Sequence, residues 1–385
     1  VTEKDKEGRV FVCTYPTMMG LIDETRGNEA RFGIGHFDLI IIDEAHRVAG
    51  SADTVARHKM AHMVTEAAPC VLLLSATPHQ GKTDSFHRLM RLLDKDAFPD
   101  EGSVSREVQV GRFRVVALED GRFALDGGAM FGVVPRPIWE KMTPVNDDHT
   151  IPLSTTPFLV DDGENCIVIE PGIGQRWSDK ERARYHIDHS GGRTLLESLA
   201  RAGVEPGDVT HCLLTHCHWD HIGAVCGEDG LPVFPHAKHW APRVEIECAL
   251  DPDHLRKASY RAQDVQPLLD AGLLESFERE FSPLEGIRMV PVGGHSDGVC
   301  LVLVEDAGTT ACFWADIVPT ANHVQLPFIM AYDLNASRSW EIRSEWIPKA
   351  AEENWDCLLY HDPETPIGRF SRGGRGFAFA PHRGG

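Results

Sequence analysis

The chain of 385 residues carries 38 Lys and Arg against 58 Asp and Glu, a formal net charge of −20, and 42% of its residues are hydrophobic. That length allows two or three domains with ample cores, while the acidic balance argues against broad non-specific nucleic-acid binding, which needs Lys and Arg to neutralise phosphates. Ten cysteines are scattered without a C-x-x-C pair or a disulfide-like framework, and no signal peptide or transmembrane run is evident, so a reducing cytoplasm and no membrane association are expected.

The first hundred residues contain two apolar runs that predict strands. Phe37-Asp38-Leu39-Ile40-Ile41-Ile42 ends on Asp43-Glu44-Ala45-His46, and Val71-Leu72-Leu73-Leu74 ends on Ser75-Ala76-Thr77. These endings resemble motifs II and III of superfamily 2 helicases and translocases. The stretch from Thr14 to Asp43 resembles the motor subunit of type I restriction enzymes, and that from His46 to Asp100 resembles Snf2-type bacterial helicases. The resemblance implies that the DEAH carboxylates hold Mg²⁺ and activate water against a γ-phosphate, and that the SAT motif couples nucleotide state to domain movement. The chain as read leaves no room for a P-loop before the DEAH strand, and no second RecA-like domain with arginine fingers is evident after Asp100, so an incomplete motor is expected. Ala76-Thr77-Pro78-His79-Gln80-Gly81-Lys82-Thr83 approaches the pattern G-x-x-x-x-G-K-[ST]. Ala76 replaces the first glycine, Pro78 is rigid and the segment falls after DEAH, so phosphate binding is not expected there. Residues 1–108 are therefore read as a partial RecA-like α/β segment with open sheet edges, and residues 109–385 as a second domain after the polar stretch Asp100-Glu101-Gly102-Ser103-Val104-Ser105.

In this second part, Arg112–Leu118 and Arg122–Leu125, joined by Glu119-Asp120-Gly121, predict a hairpin. The Gly-rich apolar stretch from Gly127 to Pro135 reads equally as a cover over a cleft or as a packed loop. Phe158-Leu159-Val160 and Cys166-Ile167-Val168-Ile169 flank a turn of their own. Helical periodicity marks Gly192–Arg201, Leu255–Leu269 and Arg338–Ala351, the last with Ser337 as N-cap. The Gly/Arg-rich tail, Ser371–Gly376 and His382–Gly385, is expected to be flexible.

The chemistry concentrates at Thr215-His216-Cys217-His218-Trp219-Asp220-His221, directly after Cys212-Leu213-Leu214. Neutral imidazole and carboxylate are good ligands for zinc and related divalent ions. In an extended segment His216 and His218 point the same way, leaving Cys217 to pack on the other side, and the chain then turns to present Asp220 and His221. Further candidates stand just past other apolar runs: His295 in Gly293-Gly294-His295-Ser296-Asp297-Gly298, Asp316 after Phe313-Trp314-Ala315, and His361 after Leu358-Leu359-Tyr360. In this order and spacing they resemble the metallo-β-lactamase superfamily, whose signature is HxHxDH followed by His, Asp and His.

The resemblance implies an αββα sandwich and a dinuclear site. His216, His218 and His295 would bind a first metal, Asp220, His221 and His361 a second, and Asp316 would bridge them, with Asp220 and Asp316 counted as catalytic. Zn²⁺, two per chain, is the expected cofactor, with iron and manganese as alternatives. Such a pair can share a hydroxide, lower the pKa of the bound water and offset charge on the attacked group. The implied reaction is cleavage of a small-molecule lactone or ester, or of a phosphotriester. The alternatives are a mononuclear iron dioxygenase on the same fold and an ATP-dependent nucleic-acid motor fragment. No nucleic-acid partner is expected, and a homodimer is an allowed assembly. The family's early D-x-G turn is here Glu170-Pro171-Gly172, and the tyrosine that its quorum-sensing lactonases carry three residues after the bridging aspartate is here Pro319. Among other histidines, His186 and His189 read as surface residues, His236 and His239 as packing residues with a lesser claim on a pocket, and His323 as a residue that can face substrate.

Overall fold

The computed structural model describes residues 105–374 and 376–382, together with four short strands in the preceding segment. The chain divides into two compact units, Val1–Ser103 with Arg383–Gly385, and Val104–His382. In the first unit, β1 (Thr25–Arg26) pairs antiparallel with β2 (Glu29–Ala30), and β3 (Ile40–Ile42) pairs parallel with β4 (Val71–Leu73). The last two are the apolar runs expected to form strands. The DEAH motif, the SAT motif and the segment Ala76–Thr83 lie outside the described residues.

The second unit is built on two seven-stranded sheets. The first contains β5 (Glu107–Val110), β6 (Phe113–Ala117), β9 (Phe158–Asp161), β10 (Cys166–Ile169), β11 (His211–Leu213), β12 (Lys238–Pro242) and β13 (Leu274–Phe277), in the order β13-β12-β11-β10-β9-β6-β5. From β10 to β13 its neighbours are parallel, as strands joined by helical crossovers must be. The second sheet runs β14-β15-β16-β17-β18-β19-β20, formed by β14 (Phe281–Leu284), β15 (Ile287–Pro291), β16 (Cys300–Asp306), β17 (Thr309–Phe313), β18 (Asp356–Leu358), β19 (Ile367–Gly373) and β20 (Gly376–Pro381). Only β17 and β18 are parallel within it, because the long helix α8 (below) lies between them in sequence.

Alternation within strands explains the layering. Ile167 and Ile169 of β10 face the core shared with the second sheet, together with Phe113, Val115, Phe158, Leu301 and Phe313, whereas Val168 faces an outer cluster. That outer cluster is closed by Leu195 and Leu199 of a helix at Leu195–Arg201, Ile246 and Ala249 of one at Arg243–Leu250, and Leu268 of one at Gln266–Asp270. Eight α-helices are described in this unit: α1 (Gly127–Phe131), α2 (Arg136–Trp139), α3 (Asp179–Tyr185), α4 (Leu195–Arg201), α5 (Trp219–Ile222), α6 (Arg243–Leu250), α7 (Gln266–Asp270) and α8 (Ala336–Glu352). Ile342, Ile347 and Ala350 of α8 are buried in the core of the sandwich. The result is helix, sheet, sheet, helix, as expected. Among the described residues, no helix is long and apolar enough to cross a membrane, and the eight cysteines are free thiols.

Several local expectations change. The hairpin read across Glu119-Asp120-Gly121 does not form. β6 joins the first sheet, while β7 (Arg122–Asp126) leaves it and pairs antiparallel with β8 (Thr150–Ser154). The turn residues serve another purpose: the Asp120 carboxylate accepts the N–H groups of Gly174 (2.7 Å) and Leu195 (2.8 Å), so it joins two separate segments. The apolar stretch after Asp126 begins as α1, with Asp126 as its N-cap accepting from Ala129 N. Its Met130 and Phe131 pack with Phe123, Trp139, Ile151 and Trp219 in a third cluster. The periodicity over Leu255–Leu269 yields only a 3₁₀ turn at Ala262–Asp264 and the short α7, because Tyr260 is drawn into a bridge with His218 and Trp219 N bonds to Ser259 O. The N-cap of α8 is Asn335, whose side chain accepts from Arg338 N, not Ser337. The antiparallel pair β9–β10 forms as read.

Candidate metal centre

The candidate ligands collect at one edge of the sandwich because four strands end there. β11 runs through Leu213-Leu214 into His216, β15 leads to His295, β17 to Asp316 and β18 to His361. After His216 the chain stays extended to His218, whose ring lies 4.5 Å from that of His216, while Cys217 turns away into the outer core. His218 then caps the single turn α5, which presents Asp220 and His221. All seven side chains are buried or nearly so. Two groupings have ligand atoms close enough to share an ion: His216, His218, His295 and Asp316, and Asp220, His221 and His361. A third combination, Glu170 with His216 and His221, overlaps both.

Hydrogen-bond partners orient the rings. His295 Nδ1 lies 3.0 Å from Asp333 Oδ1, and His361 Nδ1 lies 2.8 Å from the Ser154 carbonyl. Each Nδ1 therefore carries the proton and each Nε2 turns its lone pair inward, the usual way a partner fixes an imidazole ligand. The inward atoms crowd one another: His218 Nδ1 to His295 Nε2 is 3.1 Å, and His221 Nε2 to His361 Nε2 is 3.2 Å. His216 Nε2 is buried with no hydrogen-bond partner. Bare nitrogens at such distances repel unless a cation sits between them, and ligands about 2.0–2.1 Å from a tetrahedral zinc stand about 3.3 Å apart. The donor set thus fits divalent metal ions.

Asp316 lies between the two groupings. Its Oδ2 is 3.1 Å from His295 Nε2, and its Oδ1 is 3.0 Å from His361 Nε2 and 3.4 Å from His221 Nε2. Ala315, just before it, has φ +45, a left-handed conformation that costs energy in a residue with a Cβ and is found where a functional side chain must be aimed. The electrostatics are polarised. Burial, then the neighbouring histidines, hold His216 and His218 well below the ordinary imidazole range. Burial also opposes protonation of His295, but Asp316 and Asp333 outweigh it and raise its pKa to about 10. Burial would raise Asp316, yet His361, His221 and His295 hold it well below the usual carboxylate range. Without an ion, the carboxylates of this cavity draw protons onto imidazoles; a dication answers the same demand.

Glu170 stands where the sequence departs from the D-x-G pattern. It is fully buried at φ +57, and its Oε1 accepts the N–H of Thr215 at 2.7 Å, just before His216. Its Oε2 lies 3.5 Å from His221 Nδ1. The longer side chain therefore still braces both halves of the motif. Pro319 occupies the position three residues after Asp316, and its carbonyl accepts His361 N at 3.0 Å.

The remaining histidines sort differently from some expectations. His323 does not face an open site: it is buried, with Nδ1 2.7 Å from Thr320 Oγ1, Nε2 2.9 Å from the Met130 carbonyl, and its ring stacked on Phe131. His239 is buried against the Ala237 carbonyl and His236 is exposed. His186 is exposed and pairs with Asp148, but His189 is not a surface side chain; it is largely enclosed, 3.8 Å from Asp120. Three contributors carry no signature in the sequence. Asp333 is 38 residues from His295, too far for any spacing rule. Tyr360 donates to the Asp220 carbonyl at 2.7 Å and stacks on His221, and only its place beside His361 hints at this. Phe123 lies 5.4 Å from the His361 ring and meets Trp219, which also packs on Trp177 and Tyr185, so an aromatic wall flanks the second grouping.

The family described as the metallo-beta-lactamase superfamily matches residues 150–361, and that of the type III restriction enzyme res subunit matches residues 1–80. RNA polymerase-associated protein RapA of Pseudomonas putida is 34% identical over 111 residues, which is 27% of this chain and 11% of that protein. RapA of Pseudomonas aeruginosa is 37% identical over 111 residues, 29% of this chain and 11% of that protein. The chain thus spans about a tenth of the length of these curated relatives. Among solved structures, a probable metal-dependent hydrolase from Staphylococcus aureus has a TM-score of 0.67 and 29% identity, covering 71% of this chain and 99% of that one. The hydrolase AbOPH of the beta lactamase superfamily gives 0.63 and 22%, covering 74% and 99%, and AidC, a dizinc quorum-quenching lactonase, gives 0.60 and 20%, covering 74% and 100%. At those identities the last two share the fold.

Proposed function

Since the chain belongs to the metallo-beta-lactamase superfamily, we propose that it is a dinuclear metal-dependent hydrolase that opens a lactone or carboxylic ester, with phosphotriesters as a further substrate class. His216, His218 and His295 hold one ion, Asp220, His221 and His361 the other, Asp316 serves both, and zinc is the first choice of metal. The observation that carries this reading is the position of Asp316, one oxygen against each grouping at 3.0–3.1 Å. Divalent ions held by these residues would supply Lewis-acid polarisation of a carbonyl or phosphoryl oxygen and a hydroxide near neutral pH.

The chain's own residues add binding and orientation. The wall of Phe123, Trp219 and Tyr185 makes one side of the second grouping apolar. An apolar or uncharged substrate group suits that side. Pro319 offers no phenol to a leaving group, so lactone opening here proceeds without the tyrosine found in the lactonases that this site otherwise resembles. The likeness to RapA spans too little of those proteins for their activity to enter this reading.

The test is elemental mass spectrometry of the purified chain, followed by a panel of lactones, aryl esters and phosphotriesters. About two equivalents of zinc or manganese and turnover of a neutral ester are expected, with activity lost on chelation and restored by metal. One equivalent of iron and consumption of dioxygen in place of hydrolysis would overturn the proposal.

A further inference from the structure

Glu245 is a fully buried carboxylate that none of the ligand assignments uses. It occupies the first turn of α6, on the outer side of the first sheet. Burying a carboxylate is costly unless its lone pairs are met, and here three donors meet it. Its Oε2 accepts the N–H of Cys217 at 3.1 Å and the hydroxyl of Tyr260 at 2.9 Å, and its Oε1 accepts the N–H of Gly298 at 2.7 Å. Cys217 is the residue between His216 and His218. Gly298 lies three residues after His295, and a Cβ there would fall 2.8 Å from Glu245 Cγ and 2.6 Å from Val244, so only glycine admits this approach. Tyr260 bridges to the His218 backbone and sets its ring 4.7 Å from that of His218, edge to face.

Two of the three contacts therefore end on the loops that carry His216, His218 and His295, and the third reaches Tyr260, which bridges to His218. None ends on the loops that carry Asp316 or His361, and of the second grouping only Asp220 and His221 share the contacted segment, set apart on the turn α5 that follows His218. From this geometry we infer that Glu245, with Tyr260, is a positioning residue for the first metal, holding the two ligand loops of that position in register and setting its affinity selectively. The inference rests on the metal-centre reading above. Partners one shell removed from a metal commonly govern affinity by about 10- to 100-fold, and here the effect falls on one ion of two.

The experiment is a stepwise titration of the metal-free full chain with Co²⁺, followed by visible absorption and by competition with a chelator, for the parent, Glu245→Gln and Tyr260→Phe. Glu245→Gln retains the shape but turns an amide N–H₂ toward one of the three donors. One Co²⁺ equivalent should weaken by about 10- to 100-fold while the other keeps its affinity. The absorption bands of the weakened ion should shift, and the metal-free protein should keep its circular dichroism. Tyr260→Phe, which leaves the two loop contacts in place, should shift the same equivalent in the same direction by less. Equal weakening of both equivalents, or of neither, overturns the inference while leaving the dinuclear centre standing. A parent chain that binds fewer than two equivalents overturns the metal-centre reading, and this inference with it.

Discussion

At the scale of single residues, Asp316 and His218 make separable contributions to the two ions. Asp316 faces both groupings, so Asp316→Ala should remove both metal equivalents and lower kcat/KM by at least about a thousandfold, the scale of losing the main electrostatic stabiliser of a reaction. His218→Ala removes one nitrogen from one grouping; one equivalent should be lost first and turnover should fall with it. Metal analysis alongside a steady-state assay separates the two, and full metal content with full turnover in either variant sinks the assignment. The seven candidate ligands are legible in the sequence because imidazole and carboxylate at strand ends have few other uses at that density. Glu170, Asp333 and Glu245 are not, because what they brace is decided by which loops the sandwich brings together. His323 shows the converse. Seven residues past Asp316 it looks available to substrate, but the turn after Thr320 aims its ring at the Met130 carbonyl.

At the scale of elements, alternation and strand-end placement could be read from the chain, whereas pairing across a polar turn could not. Glu119-Asp120-Gly121 has the composition of a hairpin turn, yet β6 and β7 enter different sheets. What fixes the break is Asp120, whose carboxylate is tied to Gly174 N and Leu195 N. Burial raises its pKa from 3.8 to about 7, against the pull of those N–H groups. The native state therefore holds a proton that the unfolded chain releases above about pH 4. This contribution to stability is fully present below pH 4, falls as pH rises toward 7 and is constant beyond. Across that window the metal-free protein should lose on the order of 2–4 kcal/mol from this group. Asp120→Asn should flatten the slope, while costing about 1–3 kcal/mol because one amide N–H₂ now meets a backbone N–H. Urea unfolding of both proteins from pH 4 to pH 8 reads this directly, and parallel pH profiles would exclude the Asp120 account.

At the scale of the whole chain, the order of motifs makes two parts evident, and the units divide between Ser103 and Val104, within the polar stretch Asp100–Ser105 and ahead of the bound read at 108. β5 spans Glu107–Val110, so a cut at 108 would split a strand of the first sheet. A strand is defined by its partner, β6, and a four-residue segment such as Glu107-Val108-Gln109-Val110, with only Val110 fully buried, shows that membership only weakly in sequence. The second unit holds everything its chemistry requires. Its three apolar clusters draw on residues from Val108 to Phe379, its candidate ligands lie between His216 and His361, and its ends are tied where Ser105 N meets the His382 carbonyl at 2.8 Å. A unit that buries its own core and closes its own ends has the means to fold alone. The chain shortened to residues 104–385 should therefore express as a folded protein, bind the same number of metal equivalents as the 385-residue chain, hydrolyse the same esters within about twofold in kcat/KM and melt within a few degrees of it. If the shortened protein aggregates, or folds without binding metal, then residues 1–103 contribute to the hydrolase and the two parts are not independent. If instead its behaviour is unchanged, the acidic, helicase-like segment is dispensable for this chemistry.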